Sequence, residues 1–390
     1  MTNNDFSFKN GRCRDPSDHI KKIFVEEDCL DHPYTGQILA GVRNIPVQTI
    51  SSAAELSGLE EIFTGGGQEH YIKNLTAGKQ HLLLSRNKGH FFKACPGTRQ
   101  YRCCDYQVLN IGMNCPMDCV YCILQAYLNN PWLSFFVNTE DLFRELDEAL
   151  AVHRFLRIGT GEFTDSMALD SITGLSRQLI AYFRDKQNAV LELKTKTAVI
   201  DNLADIDHNR RTVISWSLNS PPIMEREEIR TASLAMRLEA ASQCAAMGYL
   251  LGFHFDPIIY HPGWQQGYAE TIEKLFAAVP AENIVWISMG ALRFLPPLKT
   301  IAAERFAASN FFYEEFITGL DNKCRYFRSL RTEMYHHVFN ELTKRAHPET
   351  CIYFCMESDE IWQDVTGRSP EEQGGLPAML DEAVQLAGKR

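Results

Sequence analysis

Six short runs rich in β-branched and aromatic residues recur between residues 108 and 289, each parted from the next by a stretch with helical spacing. They are "VLNIGM" (108–113), "FLRIG" (155–159), "VLELKT" (190–195), "TVISWSLN" (212–219), "YLLGFHF" (249–255) and "IVWISM" (284–289). Near-continuous apolar runs, rather than alternating ones, mark strands covered on both faces, as in a parallel sheet. The segments between them supply the crossovers: "TEDLFRELDEALAVH" (139–153) with Thr139 as its N-cap, then helices near 169–185, 198–205, 225–247 and 264–279. Six right-handed βα units build a partial (β/α)6 barrel, open where eight units would close. The expected fold class is α/β.

The flanks do not share this rhythm. Residues 1–107 read as an N-terminal accessory region in which "FTGGGQEH" (63–70) is a loop and "HLLLS" (81–85) a strand. Residues 108–320 hold the barrel, and 321–390 an α+β C-terminal extension with a basic helix in 322–346, a strand at "CIYFCM" and a terminal helix. A chain of 390 residues is long enough to bury one large core. No apolar run reaches the ~18 residues a membrane helix needs, so no membrane partner is expected. The start, "MTNNDFSFKNGRCRDPSD", lacks the apolar core of a secretion signal, so a cytoplasmic location is expected.

Twelve cysteines are many for a reducing compartment, where clustered thiols mark metal ligands or reactive groups rather than disulfides. Cys13, Cys29 and Cys244 stand alone and read as small buried hydrophobes. "CPMDCVYC" is different: Cys115, Cys119 and Cys122 lie on the loop leaving the first strand, the edge where βα barrels keep their chemistry. A [4Fe–4S] cluster normally takes four thiolates, so three leave one iron free for a small molecule. A zinc ion with a distant fourth ligand, or three buried thiols, are the other arrangements open to the triplet. A second group, Cys95, Cys103 and Cys104 in "CPGTRQYRCCDY", admits an auxiliary cluster, zinc, a hydrogen-atom donor or plain packing. Cys351 and Cys355 share one face of the last strand.

With Tyr121 just before its last cysteine, the triplet resembles the hallmark of the radical S-adenosylmethionine (SAM) superfamily. The resemblance implies a [4Fe–4S] cluster on Cys115, Cys119 and Cys122, and SAM on its open iron. It also implies release of a 5′-deoxyadenosyl radical by one electron, from a donor such as flavodoxin or ferredoxin. More narrowly, "CPMDCVYCILQAYLNNP", "FTDSMALD", "KTK", "ISWSLN", "MRLEAASQCAAMGY" and "LGFHFDPIIYHPGWQQGYAE" resemble, in order, the spore photoproduct lyase family. That implies a radical SAM barrel and lyase or repair-type chemistry on DNA or a nucleotide; a peptide or small-molecule substrate is the alternative. Thr164, Lys196, Ser217 and Asn219 fall at strand ends in SAM-contacting stretches, with Lys196 favoured over Lys194 by the "TK" match. "GTGE" resembles a Gly-Gly-Glu element whose carboxylate meets the SAM ammonium, which nominates Glu162. His254 and Asp256 either face the same mouth or tie down the Pro257 turn.

The chain departs from the family at the hydrogen donor. The position of the family's donor cysteine is Glu162, and a tyrosine expected after the third cluster cysteine is Ile123. Tyr121 alone remains of that relay, and a carboxylic O–H bond is too strong to replace a thiol. Cys355 is the candidate donor in its stead. Charge is uneven as well: the net is −10, yet residues 71–103 carry Lys73, Lys79, Arg86, Lys88, Lys93, Arg99 and Arg102 without one acid. Tyr71, Phe91, Phe92 and Tyr101 interleave with them, a mixture suited either to a nucleic-acid groove or to a solvated face.

Overall fold

The computed structural model describes residues 13–42, 44–60, 62, 71–97 and 100–389, with the backbone alone at Tyr71 and Lys73. The loop expected at 63–70 and the cation Arg99 lie outside the described residues. The strands, in chain order, are β1 (Lys22–Glu26), β2 (Val47–Ile50), β3 (His81–Ser85), β4 (Phe92–Ala94), β5 (Gln107–Leu109), β6 (Gly112–Met113), β7 (Leu133–Phe136) and β8 (Leu156–Gly159). They continue as β9 (Ala189–Thr195), β10 (Thr212–Ser217), β11 (Leu250–Ile258), β12 (Ile284–Ala291), β13 (Arg293–Phe294), β14 (Phe316–Thr318), β15 (Cys324–Tyr326) and β16 (Cys351–Phe354).

The main sheet runs β16-β12-β11-β10-β9-β8-β5-β4. Its members are parallel from β5 to β16, and β4 closes the edge antiparallel to β5. Five of the six expected strands and the first part of the run 108–113 (as β5) are in it, with burial most complete in β10 and β12. Crossover helices cover the outside. Thr139–Val152 buries Leu142, Leu146, Ala149 and Leu150, an i, i+4, i+7, i+8 stripe that makes one apolar face. β16 comes from the C-terminal stretch and pairs with β12 (Trp286 beside Cys351, Met289 beside Phe354), so Cys355 emerges at the same edge as the other strand ends.

A second sheet, β2-β1-β3-β7-β6, joins N-terminal strands to β7 and β6 from the barrel stretch through the parallel pair Leu82–Leu133. Its inner residues Ile23, Val25, Leu82, Leu84, Leu133 and Phe135 belong to the main core. Its outer residues Phe24, Leu83 and Trp132 pack with Ile50, Leu56 and Ile62 in a smaller cluster.

Several expected elements are broken by tertiary demands. The run 108–113 divides between the two sheets as β5 and β6. The helix expected at 225–247 is two, Pro221–Glu227 and Leu234–Ala246, because the chain turns at Arg230 (φ 60°) to pair with the cysteine loop. The helix at 169–185 is cut at Gly174 (φ 63°), a left-handed conformation glycine adopts freely. The helix near 198–205 is one 3-10 turn, Asp201–Leu203. The basic helix begins only at Arg328, after β15, and two helices, Asp359–Thr366 and Leu376–Ala387, stand where one terminal helix was expected. Thr139 is the first residue of its helix and Asn138 the N-cap.

Candidate active site

The cysteine loop leaves β6 through Asn114, which adopts φ 68° and ties itself down by donating to the carbonyls of Pro131 and Trp132. Its amide oxygen accepts the Cys115 N–H at 2.9 Å. Along the loop, the N–H groups of Asp118 and Val120 donate to Ile229 and Glu227. From beneath, Lys79 Nζ donates to the Met117 carbonyl (2.6 Å), and Gln125 Nε2 to those of Cys119 and Val120 (3.1 Å each). Lys79 and Arg305 both pair with the buried Asp118, at 3.0 and 2.7 Å, and Arg305 also holds the Gln125 amide oxygen. Burial raises the Asp118 carboxyl, but the two cations overrule it and hold it far below the usual carboxylate range. A loop whose carbonyls are fastened this way presents its thiols in one arrangement.

Those thiols share one loop. Cys115 and Cys119 are buried and Cys122 half-buried, and the field of Cys122 reaches both. Burial pushes Cys119 up to about 12, with the Lys196 ammonium pulling the other way. Lys196 Nζ stands 5.3 Å over the ring of Tyr121, whose hydroxyl donates to Glu228. Burial would raise Glu228, yet Arg237, fully enclosed, and Lys196 hold its carboxyl below normal. Arg237 also donates to the Ser217 carbonyl at 2.7 Å, linking the end of β10 to the loop. Thiolate formation in an enclosed site needs either a metal or nearby cations, and both thiols that are most buried have lysine within reach.

Across the mouth, Glu162 sits half-buried beyond the end of β8. The strand before it packs so closely that a Cβ on Gly159 would fall 1.5 Å from the Tyr106 hydroxyl, and one on Gly161 would press to 3.3 Å against Lys194. Glu162 exerts its charge on Lys194, Cys95, Lys323 and Cys355. Cys355 receives a hydrogen bond from Arg293 at 3.3 Å, and burial pushes its thiol up to about 11. Arg293 is itself paired with Asp256 at 3.1 Å.

The structure therefore brings Cys115, Cys119, Cys122, Tyr121 and Lys196 together on one side, and Glu162, Lys194 and Cys355 on the other. Ser217 is buried at the end of β10, and Thr164 is buried in the loop beyond β8. Asn219 spends its amide on protein groups: it donates to the Pro257 carbonyl at 2.8 Å and accepts from Ser220 N–H and the Tyr268 hydroxyl. His254 turns away from the mouth, bonding Ser288 (2.6 Å) and the buried Glu192 (2.8 Å) inside the barrel. Asp165 was not singled out from the sequence although "FTDS" contains it. It accepts from Thr195 Oγ1, Met167 N–H and Lys196 N–H, and so fixes the end of β9. Glu228, one of several charges in the run 225–230, and Arg237 were not singled out, because helical spacing shows no turn between them.

Three cations of the basic tract are paired within the fold. Lys79 is buried on Asp118, Arg86 pairs with Glu140 at 3.1 Å, and Arg102 grips Asp359 and Glu371. Phe91 is a core residue, and Tyr101 stacks under Arg325 at 4.4 Å. Lys88 and Lys93 are exposed. Lys88 lines a groove of about 540 Å³ with Arg86, Asn87, Asn130 and Trp132.

A family model described as spore photoproduct lyase matches residues 19–354. The chain belongs to the spore photoproduct lyase family. It is accordingly a radical SAM enzyme of the lyase type. Spore photoproduct lyase of Bacillus subtilis (strain 168) is 25% identical over 289 residues, covering 73% of this chain and 81% of that protein. That of Geobacillus sp. (strain Y412MC61) is 28% identical over 340 residues, covering 85% and 93%. The fold matches a solved spore photoproduct lyase variant with bound AdoMet and dinucleoside spore photoproduct (TM-score 0.75, 21% identity, 87% of this chain and 99% of that one). It matches equally a spore photoproduct lyase complexed with dinucleoside spore photoproduct (TM-score 0.74, 21% identity, 86% and 98%). Among the described residues, no helix is long and apolar enough to cross a membrane.

Proposed function

We propose that this chain is a cytoplasmic radical SAM lyase that repairs a dinucleotide lesion in DNA, with SAM seated between the cysteine loop and Glu162. The reading is supported above all by the placement of Cys115, Cys119 and Cys122 on one fastened loop at the strand ends, in a chain of this family. A donor set of thiols alone, with no imidazole or carboxylate among them, suits a [4Fe–4S] cluster. Bound there, the cluster would supply the electron that releases a 5′-deoxyadenosyl radical from SAM, itself replenished by a flavodoxin or ferredoxin. In this reading the Glu162 carboxylate accepts from the SAM ammonium, and Lys196 pairs with the SAM carboxylate. Thr164, Ser217 and Asn219 shape the pocket wall. Ion pairs in an enclosed mouth gain strength as water is expelled, which favours closing the site before chemistry.

Cys355 is the residue we assign to return a hydrogen atom to the substrate: its S–H bond is weak enough, burial keeps the thiol protonated, and it faces the same mouth as Glu162. Tyr121, hydrogen-bonded to Glu228, is the remaining relay tyrosine. The test is an anaerobic reaction of the reconstituted chain with SAM, reductant and dinucleoside spore photoproduct. Repaired dinucleoside and 5′-deoxyadenosine are expected, and Cys355→Ala should keep forming 5′-deoxyadenosine while losing repaired product. Formation of 5′-deoxyadenosine with no change in the dinucleoside or in irradiated DNA would move the substrate to a peptide or small metabolite.

A further inference from the structure

The groove of about 540 Å³ beside Lys88 has no part in that reading, and the wiring of the smaller sheet accounts for where it lies. Strands β2, β1, β3 and β7 all run parallel. From β1 the chain moves outward to β2, then recrosses β1 to form β3, so the strand order reverses between β1 and β3. The two crossovers take opposite faces. The helix Pro33–Gly41 packs Tyr34 and Ile38 into the main core, whereas the second crossover packs Leu56 into the smaller cluster. In an open parallel sheet, ligands are held in the crevice beyond the carboxyl ends of strands that flank such a reversal. The groove is lined there by Glu26, Ser85 and Phe136, the last residues of β1, β3 and β7.

The residues at those ends are the wrong kind for packing alone. Phe24 and Leu83, two positions before Glu26 and Ser85, belong to the smaller apolar cluster, so by alternation all four share one face. A parallel strand covered on both faces stays apolar to its end, yet here Glu26, Ser85 and Ser134 are buried polar groups that line the groove. Glu26 is only 5% exposed. One of its oxygens accepts the Ala53 N–H at 2.9 Å, and among the described residues no cation pairs with it. A buried carboxylate without a cation is costly unless hydrogen-bond donors reach it. Nearby, Asn87 Nδ2 is enclosed without a hydrogen-bond partner. The rim adds the exposed Lys88, the amides of Asn129 and Asn130, and the Trp132 ring.

We propose that this crevice, at the carboxyl ends of β1, β3 and β7, binds a free ribonucleoside 5′-phosphate. The ribose hydroxyls are the donors that Glu26 lacks, the base stacks on Trp132 with the asparagine amides at its edge, and the phosphate meets Lys88. The groove volume suits one molecule of that size. A DNA strand offers Glu26 no sugar hydroxyl and brings repeated phosphates towards a buried acid, so the ribose is what the crevice selects. None of the residues assigned to SAM or to the cysteine loop lines the groove, and the site does not depend on the reaction proposed above.

The test is equilibrium dialysis of the anaerobically reconstituted full chain against labelled AMP, GMP, CMP and UMP and their 2′-deoxy counterparts. About one ribonucleotide should bind per chain, its 2′-deoxy form roughly 10-fold more weakly or worse, because the buried carboxylate is then short of a donor. Glu26→Gln should weaken the ribonucleotide by a similar factor and narrow that gap. Because this variant could act through folding, Lys88→Ala is the second: its side chain is exposed, and affinity should fall several-fold at low salt and less at high salt. Excess SAM should leave the nucleotide bound. Displacement by SAM would put the nucleotide in the SAM pocket and overturn the proposal while leaving the lyase reading intact. Absence of saturable binding by all of these nucleotides overturns it too, as do equal affinities for ribo and deoxy forms or affinity unchanged in both variants. An oligodeoxynucleotide can meet Lys88, but Glu26→Gln should not alter its affinity; parallel loss of DNA and nucleotide would overturn the assignment in favour of a strand-binding groove.

Discussion

The two thiol groups at the mouth are held by different means. Around Cys115, Cys119 and Cys122, the clamp is internal: Asp118, Lys79 and Arg305 are all nearly enclosed, and the loop carbonyls are bonded from the core side. Around Cys95, Cys103 and Cys104, the clamp is peripheral, made by arginines reaching half-exposed acids of the last helices. The first arrangement lies within the family match and the second draws on residues after 354. The difference teaches that one barrel edge can be held from the core on one side and by partly exposed ion pairs to the last helices on the other.

The comparison breaks most sharply by deletion. C115A/C119A/C122A should abolish 5′-deoxyadenosine formation, read by chromatography of the anaerobic reaction, whereas C95S/C103S/C104S should retain SAM cleavage. Equal loss in both would mean that the two sides are one site. Next come the clamps themselves. Arg305→Met leaves Asp118 buried with a single cation and should cost about 3–5 kcal/mol in urea unfolding. Arg102→Met removes a pair that is over a third exposed, and should cost no more than about 1 kcal/mol.

A smaller effect is expected at Glu162. Losing one charge-assisted contact in Glu162→Gln should weaken SAM binding roughly 10- to 100-fold, measured by calorimetry, with the iron content unchanged. If affinity holds, Glu162 belongs to the substrate side alone. Smallest is the effect of Lys88→Ala on DNA binding: one phosphate contact fewer should lower the salt slope by about 1, while Lys79→Met, whose cation is buried on Asp118, should act through stability instead.

The sheet was legible because apolar runs on both faces of a parallel strand leave a pattern that short-range reading can detect, and all six barrel strands were found that way. The cysteine triplet was legible because its three thiols are close in sequence. The basic tract was legible only in part: Lys79, Arg86 and Arg102 are met by Asp118, Glu140, Asp359 and Glu371 from elsewhere in the chain, while Lys88 and Lys93 stay exposed. The helix at 225–247 misled in a similar way, since helical spacing carries no trace of the turn that delivers Glu228 to Tyr121.

By itself the amino-acid order determined the six barrel-strand runs and the close spacing of Cys115, Cys119 and Cys122, because both depend on residues a few positions apart. Only the folded chain decided which charges cancel, that β16 carries Cys355 to the mouth, and that Cys95 meets Cys103 across a glycine turn. Those outcomes rest on contacts between residues far apart in the chain, whose partners are selected by packing and by the high cost of leaving a buried charge alone.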